Sequence, residues 1–400
     1  MSTSVWRQPG IRPLLVMTFA GFTGYALLLP VAPLWAVHGG ADTAGAGLVN
    51  AVMLVFTVLT QLLVPAALRR WGWAQVLVVG MVLLGVPAAA YAVTDALAPV
   101  LALSAVRGIG FGVLTVIGSA AIAALVEEGR RGEAIGAYGL AVALPNVVLL
   151  PAGPWLAEHL GYWFVFTVAA VPLLGIPASL RVAAVLHVRA PDLLHRPSQT
   201  HPSSAVEVPE STGAAYRALL RPMLLLLSVT LAGGAVVTFA PQMVASGTVV
   251  GAGLFLMGLV AALSRWRAGA LADRHGAQPF LWPLLVLTAL GTALVAWSVP
   301  GLGDTRTGLF LVAMVLLGVA YGALQNLTLV VAFSAVHRRH HNLASAVWNI
   351  GFDLGTAVGS VAVGVIALRA SFSTALFCAA LVAVLVLPLA CADPRRRSHP

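Results

Sequence analysis

The chain has 400 residues, of which 60% are hydrophobic and only 9% charged, with 22 Lys+Arg against 13 Asp+Glu and a net charge of +9. Soluble domains carry about 25% charged residues, so a string of soluble domains is excluded, and many apolar runs of about 20 residues mark a polytopic membrane protein. Every basic residue is Arg. The Arg residues are scattered through short loops, with no basic patch interleaved with aromatics, which argues against a nucleic-acid partner.

The chain opens on MSTSVWRQPGIRPLLVMTFAGFTGYALLLPVAPLWAV, with Arg7 and Arg12 ahead of the first apolar run. The run is longer than a signal-peptide core and lacks a clear cleavage site, so it reads as a retained first span. Apolar runs against polar breaks predict twelve spans, at 12–37, 46–68, 75–94, 98–126, 134–157, 163–187, 218–240, 247–267, 279–299, 308–336, 343–368 and 373–392. The only long connector, 188–217, is rich in Pro, Ser and Thr and too polar to span. It separates a six-span bundle at 1–187 from a second at 218–400. Cys378 and Cys391 fall on the last span, about 20 Å apart at helical rise and beyond disulfide reach.

Orientation follows from the Arg residues. With both termini on one face, that face collects all of them except Arg107 inside the fourth span and Arg306 and Arg369 on the far side. Such an excess marks the cytoplasmic face. The all-Arg, Ala- and Gly-rich composition suggests a GC-rich bacterial genome.

The two halves echo each other. VAP at Val31 to Pro33 matches FAP at Phe239 to Pro241, RGIGFG at Arg107 to Gly112 matches LGVAYG at Leu317 to Gly322, and EAIGAYG at Glu133 to Gly139 resembles LASAVWN at Leu343 to Asn349. Parallel six-helix repeats with a site between them are a transporter architecture.

Charges inside a bilayer are costly and usually functional. Two lie well inside predicted spans, Arg107 in the fourth and Asp353 in the eleventh. Asp353 is either a proton-coupling carboxyl or a structural hydrogen-bonding group, and should lie between the halves, with Arg107 and Gln325 as neighbours. Arg107 binds an anionic group, pairs with Asp353, or snorkels to a surface. Tyr25, Asn50, Asn146, Gln325, Asn326 and Asn349 are neutral polar candidates for a substrate cavity, set against the ordinary role of such groups in joining helices. His337, His340 and His341 in HRRHHN fit a basic cytoplasmic loop better than a metal site. No Gly-rich loop ends in Lys-Ser/Thr and no G-x-S-x-G occurs, so neither ATP nor a serine nucleophile is implied. A membrane enzyme would need clustered Asp or His at one face, and the sequence has no such cluster; no cofactor or metal is expected.

Between the eighth and ninth spans stands GALADRHG, Gly269 to Gly276, which resembles the G-x-L-a-D-R-x-G signature of the major facilitator superfamily. The corresponding first-half segment, PAALRRWG, keeps Arg70 and Gly72 but has Pro65 for Gly and Arg69 for Asp. SAVRGIGFG resembles the family's fourth-helix signature, with Ser104 in the usual Arg place and Arg107 one turn later. LPNVVLLPAGPWLAEHLGYWFVF resembles, loosely, the Gly/Pro-rich fifth helix of antiporter members, and FDLGTAVG the eleventh helix of efflux members. The resemblance covers the whole chain and implies an all-α membrane fold of twelve helices in two pseudo-symmetric bundles. It also implies gating residues Gly269, Asp273, Arg274, Gly276, Arg70 and Gly72, with Asp273 set against the other half's fifth or eleventh helix to favour cytoplasmic closure. The implied function is export of a small amphiphilic molecule by proton antiport through alternating access; the alternative is proton-coupled uptake of a nutrient or small organic anion. Expected partners are the substrate, protons and the lipid of a plasma membrane, for a monomer with both termini cytoplasmic.

Overall fold

The structure is a computed structural model. It describes residues 8–125, 131–189, 212–301, 305–336 and 341–391, with all side chains among them except those of residues 119, 122–124, 131–136, 212, 273, 341 and 342. These residues are helical: α1 (Ile11–His38), α2 (Thr43–Ala90), α3 (Leu97–Leu125), α4 (Arg131–Leu160), α5 (Tyr162–Ala169), α6 (Ile176–Arg189), α7 (Thr212–Met243), α8 (Gly247–His275), α9 (Gln278–Ser298), α10 (Thr307–Ser334), α11 (His341–Arg369) and α12 (Phe372–Cys391). Among the described residues, 11 helical segments are long and apolar enough to cross a membrane.

The difference from twelve predicted spans lies in α2. At 48 residues it would be about 72 Å long as a straight helix, twice a bilayer core. Its backbone breaks at Gly72, where φ is 74° and ψ 173°. α2 is therefore two spans joined without a loop, and the twelve-helix fold stands. The sixth span is likewise composite, α5 and α6 joined by a 3-10 turn over Val171–Gly175.

The chain divides into two compact units, Met1–Gln199 and Thr200–Pro400. In each unit the first helix is central: α1 and α7 are each 83% buried over their most apolar window. In the N-terminal unit Leu27, Leu28, Val31 and Ala32 of α1 pack with Val49, Tyr91, Val100 and Phe166. In the C-terminal unit Leu225, Leu226 and Val229 of α7 pack with Leu281 and Leu285 of α9, Leu324 and Leu327 of α10, and Ala383 of α12. Many large apolar side chains face outward instead, among them Leu62, Leu63, Trp266 and Leu385. Apolar surface on that scale is what lipid requires and water penalises.

Gly72 has a counterpart in Gly276, which ends α8 at φ 77° and ψ 160° and donates its N–H to the Ala272 carbonyl at 2.9 Å. This conformation is accessible to glycine almost alone, which explains why the first-half motif retains its glycine although it lost the Asp. The GALADRHG stretch is therefore not a connector: α8 continues to His275 and the turn is confined to Gly276 and Ala277. A Cβ at either glycine meets open space, so the penalty is conformational. Gly72→Ala and Gly276→Ala are each expected to cost about 1–3 kcal/mol, seen as a lowered Tm of the purified protein.

Candidate functional site

The geometry of α8 against α10 begins with small residues. A Cβ on Gly318 would meet the Met257 carbonyl, and one on Gly322 the Ala261 carbonyl and the Ser264 hydroxyl. The N-terminal unit repeats these contacts between α3 and the first arm of α2. There Gly108 would meet the Met53 carbonyl, and Gly112 the Thr57 carbonyl and the Thr60 side chain. The sequence repeat is thus matched by repeated contacts, position for position.

One turn further along, the two units differ in charge. In the first, Gln61 Nε2 donates to Thr115 Oγ1 at 3.3 Å. In the second, Arg265 Nη1 donates to Gln325 Oε1 at 3.2 Å. Arg265 stands where the first unit has Gln61, and Gln325 where it has Thr115. The neighbouring Asn326 donates its Nδ2 to the Arg265 carbonyl at 3.0 Å, and Gly269 leaves room for the Asn326 side chain. The adjacent Gln325–Asn326 pair therefore holds Arg265 by its guanidinium and its backbone.

The sequence reading ends the eighth span at 267 and assigns Arg265 to the cytoplasmic face. The helix itself does not stop there: α8 continues to His275. At 1.5 Å per residue, Arg265 is about 15 Å from the end of α8, Gln325 about 14 Å from the end of α10, and Asp353 about 18 Å from the start of α11. These three helix ends lie on one side of the unit by the alternation of the spans. Arg265 is thus part of α8 and not of a loop.

Asp353 is 6% exposed. α11 turns a glycine stripe towards α7, with Gly351 near Met223, Gly355 near Leu227 and Thr230, and Gly359 near Leu231. A residue two positions from Gly351 and Gly355 faces away from that stripe. Tyr321 of α10, absent from the sequence candidates, packs at a tilt on Phe352, the residue before Asp353, with ring centroids 6.3 Å apart. Gln325, one turn further along α10, is bonded to Arg265.

Arg107 is 1% exposed in the N-terminal unit, so it does not snorkel to a surface. Its Nη2 donates to the Gly24 carbonyl at 3.2 Å, its guanidinium lies 5.6 Å from the Tyr91 ring centre, and its Nε has no hydrogen-bond partner. Tyr91 is fixed in turn by a 2.6 Å hydrogen bond with Ser104. Tyr25 stacks on Phe111 at 4.1 Å. Asn50 Nδ2 donates at 2.8 Å to the Leu29 carbonyl, which has lost its helical partner because Pro33 carries no N–H. Asn146 and Asn349 donate to carbonyls one turn back on their own helices, Val142 at 2.8 Å and Ser345 at 2.9 Å. Of the motif residues, Arg70 and Arg274 are exposed. The side chain of Asp273, and the His337 to His341 cluster, lie outside the described residues.

Two repeated helical units with charges held inside their spans define a membrane transporter. The profile of the Major Facilitator Superfamily matches residues 14–301 and 223–400, and the chain belongs to that superfamily. Solved structures share the fold at low identity. A bacterial homologue of the human lysosomal transporter Spinster, inward-facing and unoccupied, superposes with a TM-score of 0.69 at 13% identity, over 96% of this chain and 95% of that one. A POT family transporter in complex with 5-aminolevulinic acid gives 0.76 at 12% identity, over 99% and 98%. A mutant of the nucleoside transporter NupG gives 0.68 at 14%, over 95% and 98%. Comparison with curated protein sequences finds no match. The protein is a multi-pass transporter and not an enzyme.

Proposed function

We propose that the protein exports a small amphiphilic molecule in exchange for protons, with Asp353 carrying the coupled proton. The observation that carries the reading is a carboxyl buried in a membrane helix, Asp353, at 6% exposure. A group that exchanges protons needs such an environment, in which its charge state depends on what else is bound. Arg107, Tyr25, Asn146, Gln325, Asn326 and Asn349 are the remaining candidates for substrate contact. Bundles at 1–187 and 218–400, joined by a cytoplasmic loop at 188–217, would alternate about the substrate. Asp273 would favour the cytoplasmically closed state, with Arg274, Gly269, Gly276, Arg70 and Gly72 shaping the two motif turns.

A second reading is proton-coupled uptake of an organic anion. It is favoured by the Arg265 guanidinium, which has no carboxylate partner among the described residues and is suited to pairing with an anion. Inverted membrane vesicles, loaded with a panel of amphiphilic cations, anions and neutral compounds, separate the two. Accumulation driven by an inside-acid gradient supports antiport, and accumulation only in right-side-out vesicles with an outside-acid gradient supports uptake. No gradient-dependent flux in either would overturn both.

The Arg asymmetry supports a plasma-membrane protein of a bacterium with both termini cytoplasmic. Labels at residues 200 and 400 are expected to react only from the cytoplasm, and one near residue 304 only from outside. Labelling of residue 200 from outside would break the twelve-span topology.

A further inference from the structure

We propose that Arg265, with the Gln325 amide and the Tyr321 hydroxyl, forms a subsite in the C-terminal unit for an anionic group on the substrate. The ligand class is a carboxylate, sulfonate or phosphate on an apolar body. The proposal rests on the reading of the chain as a transporter of an amphiphilic molecule. It depends neither on the direction of transport nor on proton coupling.

The internal repeat supplies the main argument. The packing of α2 on α3 is completed by a neutral pair, Gln61 and Thr115. The same backbone contacts in α8 and α10 would accept a neutral pair as readily. The positive charge at 265 is therefore not needed to close the helix pair. Arg265 has no carboxylate partner among the described residues. One N–H is bonded to Gln325 Oε1 at 3.2 Å, and a guanidinium has five. Gln325 is 6% exposed, whereas Arg265 keeps an exposed surface. The cation is thus anchored on its buried side and open on the other. A guanidinium fixed in this way presents parallel donors suited to a two-oxygen anion, and Tyr321 stands one turn from Gln325 on the same face of α10.

The neighbouring cation reinforces the distinction. Arg267 leans on Trp266, with its guanidinium 5.5 Å from the indole centre, and both are exposed. Arg267 is anchored by no hydrogen bond to another helix among the described residues, and it takes no part in the subsite.

The test uses the purified full-length protein in detergent, with naphthalenesulfonate, naphthoate and naphthyl phosphate as anionic probes and naphthyltrimethylammonium as the cationic control. A ligand that binds only the folded protein raises its Tm. At least one anion is expected to do so in the wild type, and the cation is not. Arg265→Gln recreates the Gln61 arrangement of the first unit, so it should fold, and it should weaken anion binding about tenfold or more. Arg265→Lys keeps the charge without the planar fork and should fall between the two, while Arg267→Gln should bind as wild type. Absence of stabilisation by all three anions, or equal anion affinity in Arg265→Gln and wild type, would overturn the subsite. Asp353→Asn should bind the anions at least as tightly as wild type. A failure of proton coupling in vesicles, with anion binding lost only in Arg265→Gln, would reject the coupling role of Asp353 and leave the subsite standing.

Discussion

Asp353→Asn is expected to abolish accumulation driven by a pH gradient while downhill exchange of substrate continues. An amide has the shape of the carboxyl and can still hydrogen-bond, so the fold and the substrate contacts survive. It cannot take up or release a proton, so the free energy of the gradient no longer reaches the substrate. The size of the effect should be complete loss of uphill transport, because no other carboxylate lies deep within a predicted span. Asp353 is 6% exposed, and a carboxyl at that depth must be paired or neutral for much of the time. Counterflow of labelled substrate in vesicles without a gradient provides the control. Full gradient-driven transport by Asp353→Asn would remove the coupling role and leave a hydrogen-bonding one. Loss of counterflow as well would mean that the carboxyl is needed for binding or for the conformational change.

The helices and the repeat were legible in the sequence because hydropathy and glycine spacing are local properties. RGIGFG and LGVAYG place glycines at 108, 112, 318 and 322, where α3 and α10 meet the Met53, Thr57, Met257 and Ala261 carbonyls. The joint at Gly72 was legible as a break between the spans at 46–68 and 75–94, because Arg69 and Arg70 interrupt the hydropathy there; that the two spans join without a loop shows only in the backbone. The length of α8 was harder to read. Three Arg and one Asp within Arg265 to Arg274 look like a loop to a hydropathy argument, whereas α8 passes straight through them to His275. A signal was available: aligning PAALRRWG on GALADRHG sets Arg265 against Gln61, a residue well inside the second span. Tyr321 gave no sign at all, because an aromatic in a span is ordinary packing until its neighbours in space are known.

The other large effect is expected at Arg107, and here fold and function should separate. The repeat sets Arg107 against Leu317, which is fully buried on α10 and packs without any charge. Arg107 is equally buried, yet it makes one hydrogen bond of 3.2 Å, to Gly24, and its Nε has no partner. No carboxylate among the described residues neutralises it. Replacing a buried charge by a well-packed apolar residue is often neutral or stabilising by about 1–4 kcal/mol. Arg107→Leu, which copies the second unit into the first, should therefore keep or raise the Tm. Transport by the same protein should fall to background, because the charge is retained at a cost to stability and so must serve the substrate or the transport cycle. Arg107→Lys should keep the fold and recover part of the activity, since charge remains without the planar donors. A marked fall in Tm for Arg107→Leu would show instead that the guanidinium is structural, holding α1 to α3 through Gly24. Unchanged transport together with a raised Tm would show that the charge serves neither purpose.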